Sequence, residues 1–127
     1  MPGALRDNMQ YILQFRTEPQ DGYVLAHLSG LVSVEAWGNA LPRLAAAVRG
    51  QGDRLVVDLT GLVGWLGVPE RTQVGTLWAT HLAGMARVAL FIQPEKIAGV
   101  VEAQAQRMGL NLRVVSHYDE AVHWAKS

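Results

Sequence analysis

The sequence predicts an α/β domain with the element order β-β-α-β-α-β-α-β-α, in which a mixed, mostly parallel five-stranded sheet is covered by four helices. Three observations carry that expectation. Two short runs rich in aliphatic and aromatic residues, Tyr11-Ile12-Leu13-Gln14-Phe15 and Tyr23-Val24-Leu25-Ala26-His27-Leu28, flank the turn-forming Glu18-Pro19-Gln20-Asp21-Gly22, which is a hairpin signal. Leu55-Val56-Val57-Asp58-Leu59 is an almost continuous apolar run, as in a strand covered on both faces. Beyond it, strand-like runs alternate with stretches of three- and four-residue apolar spacing, which implies right-handed crossovers and parallel pairing.

Each element has a local reason. Ser33 is a candidate cap for a helix running to about Arg49, with Val34, Trp37, Leu41, Leu44, Ala45 and Val48 on one face. Pro42 conflicts with it, because an internal proline loses a hydrogen bond and clashes with the preceding turn at a cost of about 3 kcal/mol. The expectation is therefore a kink near Gly38, or a main helix that starts at Asn39. Gly50-Gln51-Gly52 ends the element. Pro69 opens a second helix, whose buried stripe is Val74, Leu77, Trp78 and Leu82. Residues 87–92, around Val88-Ala89-Leu90-Phe91, read as the fourth strand. Pro94 starts a third helix with Ile97, Val100, Val101, Ala105 and Met108 as its stripe and Gly109 as its C-terminal cap. Leu112-Arg113-Val114-Val115 is the fifth strand, and Ser116 with Asp119 resembles a capping box for a last helix through Trp124.

Composition narrows the function. The 127 residues balance 11 Lys and Arg against 11 Asp and Glu, half are hydrophobic, and there is no cysteine. Residues 1–9 read as a disordered lead and residues 10–127 as one domain, long enough to bury roughly two-thirds of its unfolded surface. Zero net charge argues against nucleic-acid binding, which needs a surplus of cations. The missing cysteines remove disulfides, thiolate metal sites and thiol nucleophiles together. No apolar run approaches the roughly 20 residues of a membrane span, so a soluble cytoplasmic protein is expected.

Three segments carry a family resemblance. The first hairpin closes on Leu28-Ser29-Gly30. Arg54-Leu55-Val56-Val57-Asp58-Leu59-Thr60-Gly61 is similar to a strand ending in Asp-Leu-Ser. Leu112-Arg113-Val114-Val115 is followed by Asp119-Glu120-Ala121-Val122-His123-Trp124. Together they resemble the STAS family of sulfate-transporter and anti-sigma factor antagonist domains, in its small stand-alone bacterial form. The resemblance implies a regulatory, non-catalytic domain. In regulatory members an Asp-Ser-Ser/Ala-Gly loop follows that strand, and its serine is phosphorylated. Counted from Asp58, the Asp-Ser-Ser positions fall on Leu66, Gly67 and Val68, so no hydroxyl stands there to take phosphate. Thr60 and Thr72 are the only nearby substitutes, and no phosphorylation site is assigned.

The stretch Gly61-Leu62-Val63-Gly64-Trp65-Leu66-Gly67-Val68-Pro69 is the most distinctive in the chain. It follows a strand's carboxyl end and feeds a helix, the place where open α/β sheets bind ligands. It is neither a Walker loop nor G-x-G-x-x-G, so it does not read as a nucleotide loop. Leu62, Val63, Trp65, Leu66 and Val68 suit an apolar ligand, such as a lipid or acyl chain, or a partner surface; alternatively, they fold back onto the sheet as core. Arg71 at the helix start is a candidate clamp for an anionic head group. Trp65 is the tryptophan expected to bind, while Trp37, Trp78 and Trp124 sit at core spacing.

Little else suggests chemistry. His27 and His81 lie on separate elements, and His117 and His123 are six apart, so no metal site or cofactor is expected. His27 reads as a half-buried polar residue. Asp58 is read as capping the following turn, and Asp119 and Glu120 as first-turn residues suited to the helix dipole. The leading expectation is a non-catalytic module that contacts a small apolar ligand or a regulatory protein through loop 61–68. A small α/β enzyme using Asp58 or a histidine, and a homodimeric structural module, are the alternatives.

Overall fold

The computed structural model describes residues 12–127, so the expected lead at 1–9 and Tyr11 lie outside the described residues. Strand β1 (Gln14–Gln20) pairs antiparallel with β2 (Tyr23–Leu31), from Gln14 opposite Ser29 to Gln20 opposite Tyr23. Only Asp21 and Gly22 form the turn. The break expected across Glu18-Pro19-Gln20 is therefore corrected, since the strand continues through all three. Pro19 is tolerated because β1 is an edge strand, where a missing ladder donor costs little. Strands β3 (Arg54–Val63), β4 (Arg87–Phe91) and β5 (Leu112–Val115) then add in parallel to β2, in the sequential order β1-β2-β3-β4-β5.

Helices α1 (Val34–Val48), α2 (Val68–His81) and α3 (Val100–Arg107) cover one face, over a core that includes Leu28, Leu41, Leu44, Leu55, Val57, Trp78 and Leu90. Helix α4 (Tyr118–Lys126) covers the other face alone, with Ala121 and Ala125 against Leu25, Val56, Ala89 and Val115. The alternation of β2, β3 and β4 divides the two cores, because successive strand residues point to opposite faces.

Three expectations about helices change. Helix α1 starts at Val34, with Ser33 Oγ accepting from the Ala36 N–H at 3.0 Å, and runs unbroken through Pro42, so it does not start at Asn39. Pro42 is exposed, and Gly38, whose carbonyl lost its donor, is half-exposed. Burial of Trp37, Leu41, Leu44 and Val48, about 1.5–3 kcal/mol for each large apolar side chain, outweighs the proline penalty. The third helix is broken. Pro94–Lys96 forms only a 3₁₀ turn, Gly99 takes a left-handed φ of +76°, and α3 begins at Val100. Ile97 and Met108, expected on the buried stripe, are exposed. The last helix is capped by His117 without a side-chain bond, so the Ser116–Asp119 capping box does not form.

Helix α3 packs closely on α2. A Cβ on Gly75 would stand 2.7 Å from Gln104 Cβ and 2.8 Å from the Val101 carbonyl, so only glycine permits this approach. On the other face, arginines hold the end of α4. Arg54 donates to the Ala125 carbonyl at 2.5 Å, and Arg87 donates to the Trp124 carbonyl at 3.2 Å while lying over the Trp124 ring. Cations at the carbonyl end of a helix suit its dipole. The hydroxyls of Tyr23 and Tyr118 are bonded to each other, and burial, with that bond, pushes the Tyr23 phenol up to about 12.

Candidate functional site: an apolar cavity at the carboxyl edge of the sheet

A bulge decides where the distinctive stretch points. In the β2–β3 ladder His27 pairs with Asp58, but Ser29 pairs with Gly61, so β3 carries one extra residue. Asp58 Oδ1 stabilises the bulge by accepting from the Thr60 amide at 2.9 Å and the Thr60 hydroxyl at 2.6 Å. A bulge resets the alternation of a strand. Leu55, Val57 and Leu59 face the larger core before it, and Leu62 faces the same core after it. Val63 consequently turns to the opposite face beside Leu31, and both are exposed.

Strand β3 thus extends through Val63, and the expected loop 61–68 shrinks to Gly64-Trp65-Leu66-Gly67. This loop, the end of β4 and the broken segment before α3 enclose a cavity of about 120 Å³. Leu59, Leu62, Leu90 and Ile92 form its floor, and Trp37, Val74 and Trp78 its helical wall. Ile97, Gly99, Val100 and Val101 close the far side, while Trp65 and Leu66 form the lip. The left-handed Gly99 turns Ile97 and Val100 away from the regular stripe and toward this space.

The six candidate residues separate by position. Leu62, Trp65, Leu66 and Arg71 meet around the cavity. Leu62 is buried in the core as well, so it is not a surface contact. Val63 and Val68, 61% and 59% exposed, point to solvent and do not line it. Trp65 is 61% exposed because it stands on the lip, with the Arg71 guanidinium 3.9 Å from its ring centre. That stack is a cation–π contact which holds both side chains in place. The sequence reading missed Lys96, and placed Ile97, Val100 and Val101 on a helix stripe. The available signal was Gly99, which interrupts that stripe.

Three polar groups at the cavity matter for chemistry. Lys96 Nζ donates to the Leu62 carbonyl at 3.1 Å. Glu102 Oε2 accepts from the Val114 amide at 2.6 Å, which ties α3 to β5. The Trp78 indole N–H is fully buried and has no partner among the described residues. An unpartnered buried donor of this kind ordinarily costs free energy.

The opposite face carries a different cluster. His27, half-buried as expected, places Nδ1 3.0 Å from Asp58 Oδ2 and Nε2 3.1 Å from Glu18 Oε2. Burial alone would raise the Asp58 carboxyl, but bonds from the Thr60 hydroxyl and amide and from His27 outweigh it and hold it below its ordinary value of 3.8. No turn follows Asp58, because β3 continues to Val63; in place of the expected turn cap, one oxygen holds the bulge at Thr60 and the other lies on His27. Each ring nitrogen of His27 thus lies within hydrogen-bond distance of a carboxylate oxygen. Thr60 and Thr72 likewise donate their hydroxyls within the chain, to Asp58 and to the Val68 carbonyl. Among the described residues no group of His, Asp and Glu is arranged to hold a metal ion, and no helix is long and apolar enough to cross a membrane.

Solved structures with the same architecture place the fold. An anti-sigma factor antagonist from Mycobacterium paratuberculosis superposes with a TM-score of 0.62 at 16% identity, over 92% of this chain and 97% of that one. A protein of the DUF3478 family with a SpoIIAA-like fold, from Shewanella loihica PV-4, superposes with a TM-score of 0.59 at 18% identity, over 90% of this chain and 94% of that one. Neither a protein-family model nor a curated protein matches the chain. The chain therefore has the STAS fold, and the five-stranded mixed sheet with four helices read from the sequence is its architecture.

Proposed function

We propose that this chain is a non-catalytic regulatory domain of the cytoplasm that binds a small apolar molecule behind Trp65 and presents the surrounding lip to a regulatory protein. The observation that carries the reading is the cavity itself. It is walled by Trp37 and Trp78, and it opens at the loop after β3, where the resemblance to regulatory STAS domains would put a phosphorylated serine. The similarity to an anti-sigma factor antagonist supports a regulatory role. Leu66, Gly67 and Val68 in place of Asp-Ser-Ser support control by occupancy rather than by phosphate. The size favours a compact molecule over a whole lipid or acyl chain, since a cavity of about 150 Å³ holds benzene. Trp65 on the lip and Val68 next to the loop are exposed, and they favour a protein partner there, because exposed apolar groups of this kind mark interaction sites.

Benzyl alcohol serves as a neutral probe. It is expected to raise the melting temperature of the natural protein, because a ligand that binds only the folded state stabilises it. V101F fills the cavity and is expected to remove the shift; an equal shift in both proteins would refute the site. A folded W65A variant that bound the probe with unchanged affinity would take Trp65 out of it. For the partner, sedimentation at high concentration separates a homodimer formed through Leu31 and Val63 from a monomer that awaits a different protein.

A further inference from the structure

The geometry points to a ligand with one negative charge: a small apolar monocarboxylate, its body inside the cavity and its carboxylate at the lip between Arg71 and Lys96. This rests on the cavity being a binding site, and it specifies which chemistry fits there. Two cations and one carboxylate, Arg71, Lys96 and Glu102, line an otherwise apolar space. Glu102 is occupied, with one oxygen fixed on the Val114 amide at the junction of α3 and β5. Neither cation has a carboxylate partner among the described residues. Lys96 gives one of its three donors to the Leu62 carbonyl and retains two. Arg71 lies over the Trp65 ring, 3.9 Å from its centre, a contact that leaves its guanidinium N–H groups available as donors.

The balance of charge sets the ligand's charge. A neutral molecule would leave both cations facing a surface of low polarity, whereas a single carboxylate compensates the excess positive charge. Charge-assisted bonds to such a group are shorter and about twice as strong as neutral ones. The body of the ligand is limited by volume to about the size of a benzene ring or a short branched chain. Trp78 lines the cavity, so its indole signal provides a spectroscopic reporter at the site.

Benzoate and its neutral counterpart benzamide test this in one NMR titration of the ¹⁵N-labelled full chain. The Trp78 indole signal is assigned by its loss in W78F. Benzoate is expected to shift it and to bind about tenfold more tightly than benzamide. K96M and R71M should each bring the two affinities together, and K96R should retain the preference. The preference should also fall with added salt, because ions screen a contact at the rim. Equal affinities in the natural protein would overturn the charge assignment while leaving the apolar cavity intact as a site. Binding that left the Trp78 signal unmoved, or no binding of either probe, would overturn both.

Discussion

On one face of the sheet three helices bring Trp37, Leu41, Leu44 and Trp78 over Leu55, Val57 and Leu90; on the other, α4 brings only Ala121 and Ala125 against Val56 and Ala89. Bulky, irregular side chains cover a broad area but leave space where the strands end. Small ones let a helix approach closely and leave none. The cavity lies on the first face for that reason. Only the second face carries the half-open polar row of Glu18, His27 and Asp58, because a single short helix cannot span five strands.

Mutations can break this contrast at either face. The largest expected effect is at the centre of the larger core, where L90A should cost about 2–5 kcal/mol in urea unfolding. A cost below about 1 kcal/mol would mean that the three helices do not pack as described. Next comes a matched pair of insertions. A121L should overpack the close contact of α4 and cost about 1–3 kcal/mol. V101F puts its bulk into the cavity and should cost clearly less; equal losses would deny that the two faces differ in free space. R87M removes the hold on the end of α4, both the carbonyl bond and the contact with Trp124. It should lower stability by about 1 kcal/mol without touching the cavity face.

Asp58 gives a smaller, pH-dependent effect. Its folded carboxyl is held below 3.8, so its contribution is complete above that value and is lost as pH falls through the lower folded value. Stability curves of the natural protein and D58N should therefore converge in acid; a constant gap down to the lowest pH would show that the bulge does not depend on the ionised carboxylate. W65A should change stability least, within about 0.5 kcal/mol, because the ring is mostly outside. A large loss would place Trp65 in the fold rather than at the lip.

Element type and order were legible because they rest on local periodicity. The strand read at β2 and the apolar stripe of α1 survive in the structure, α2 buries Val74, Trp78 and Leu82 of its expected stripe with Leu77 only half-buried, and the fifth strand has its expected bounds. Boundaries failed where neighbours overruled local preference. Pro19 remains in a strand because that strand is an edge, and Pro42 remains in a helix because its far side is buried. Of the candidate site, Trp65, Leu66 and Arg71 could be read from one contiguous stretch. Lys96 could not, since nothing local links residue 96 to residue 62.

By itself, the sequence determined the alternation of strands and helices, the absence of thiol chemistry, and the apolar character of the stretch from Leu62 to Val68. Those properties depend on residue types and on spacing along one segment. Tertiary structure alone decided which of those apolar residues face inward. One extra residue in β3, visible only against the register of β2, sends Leu62 to the core and Val63 to solvent. Likewise, only the packing of α2 against the broken approach to α3 encloses a cavity, since a void exists between elements and not within any one of them.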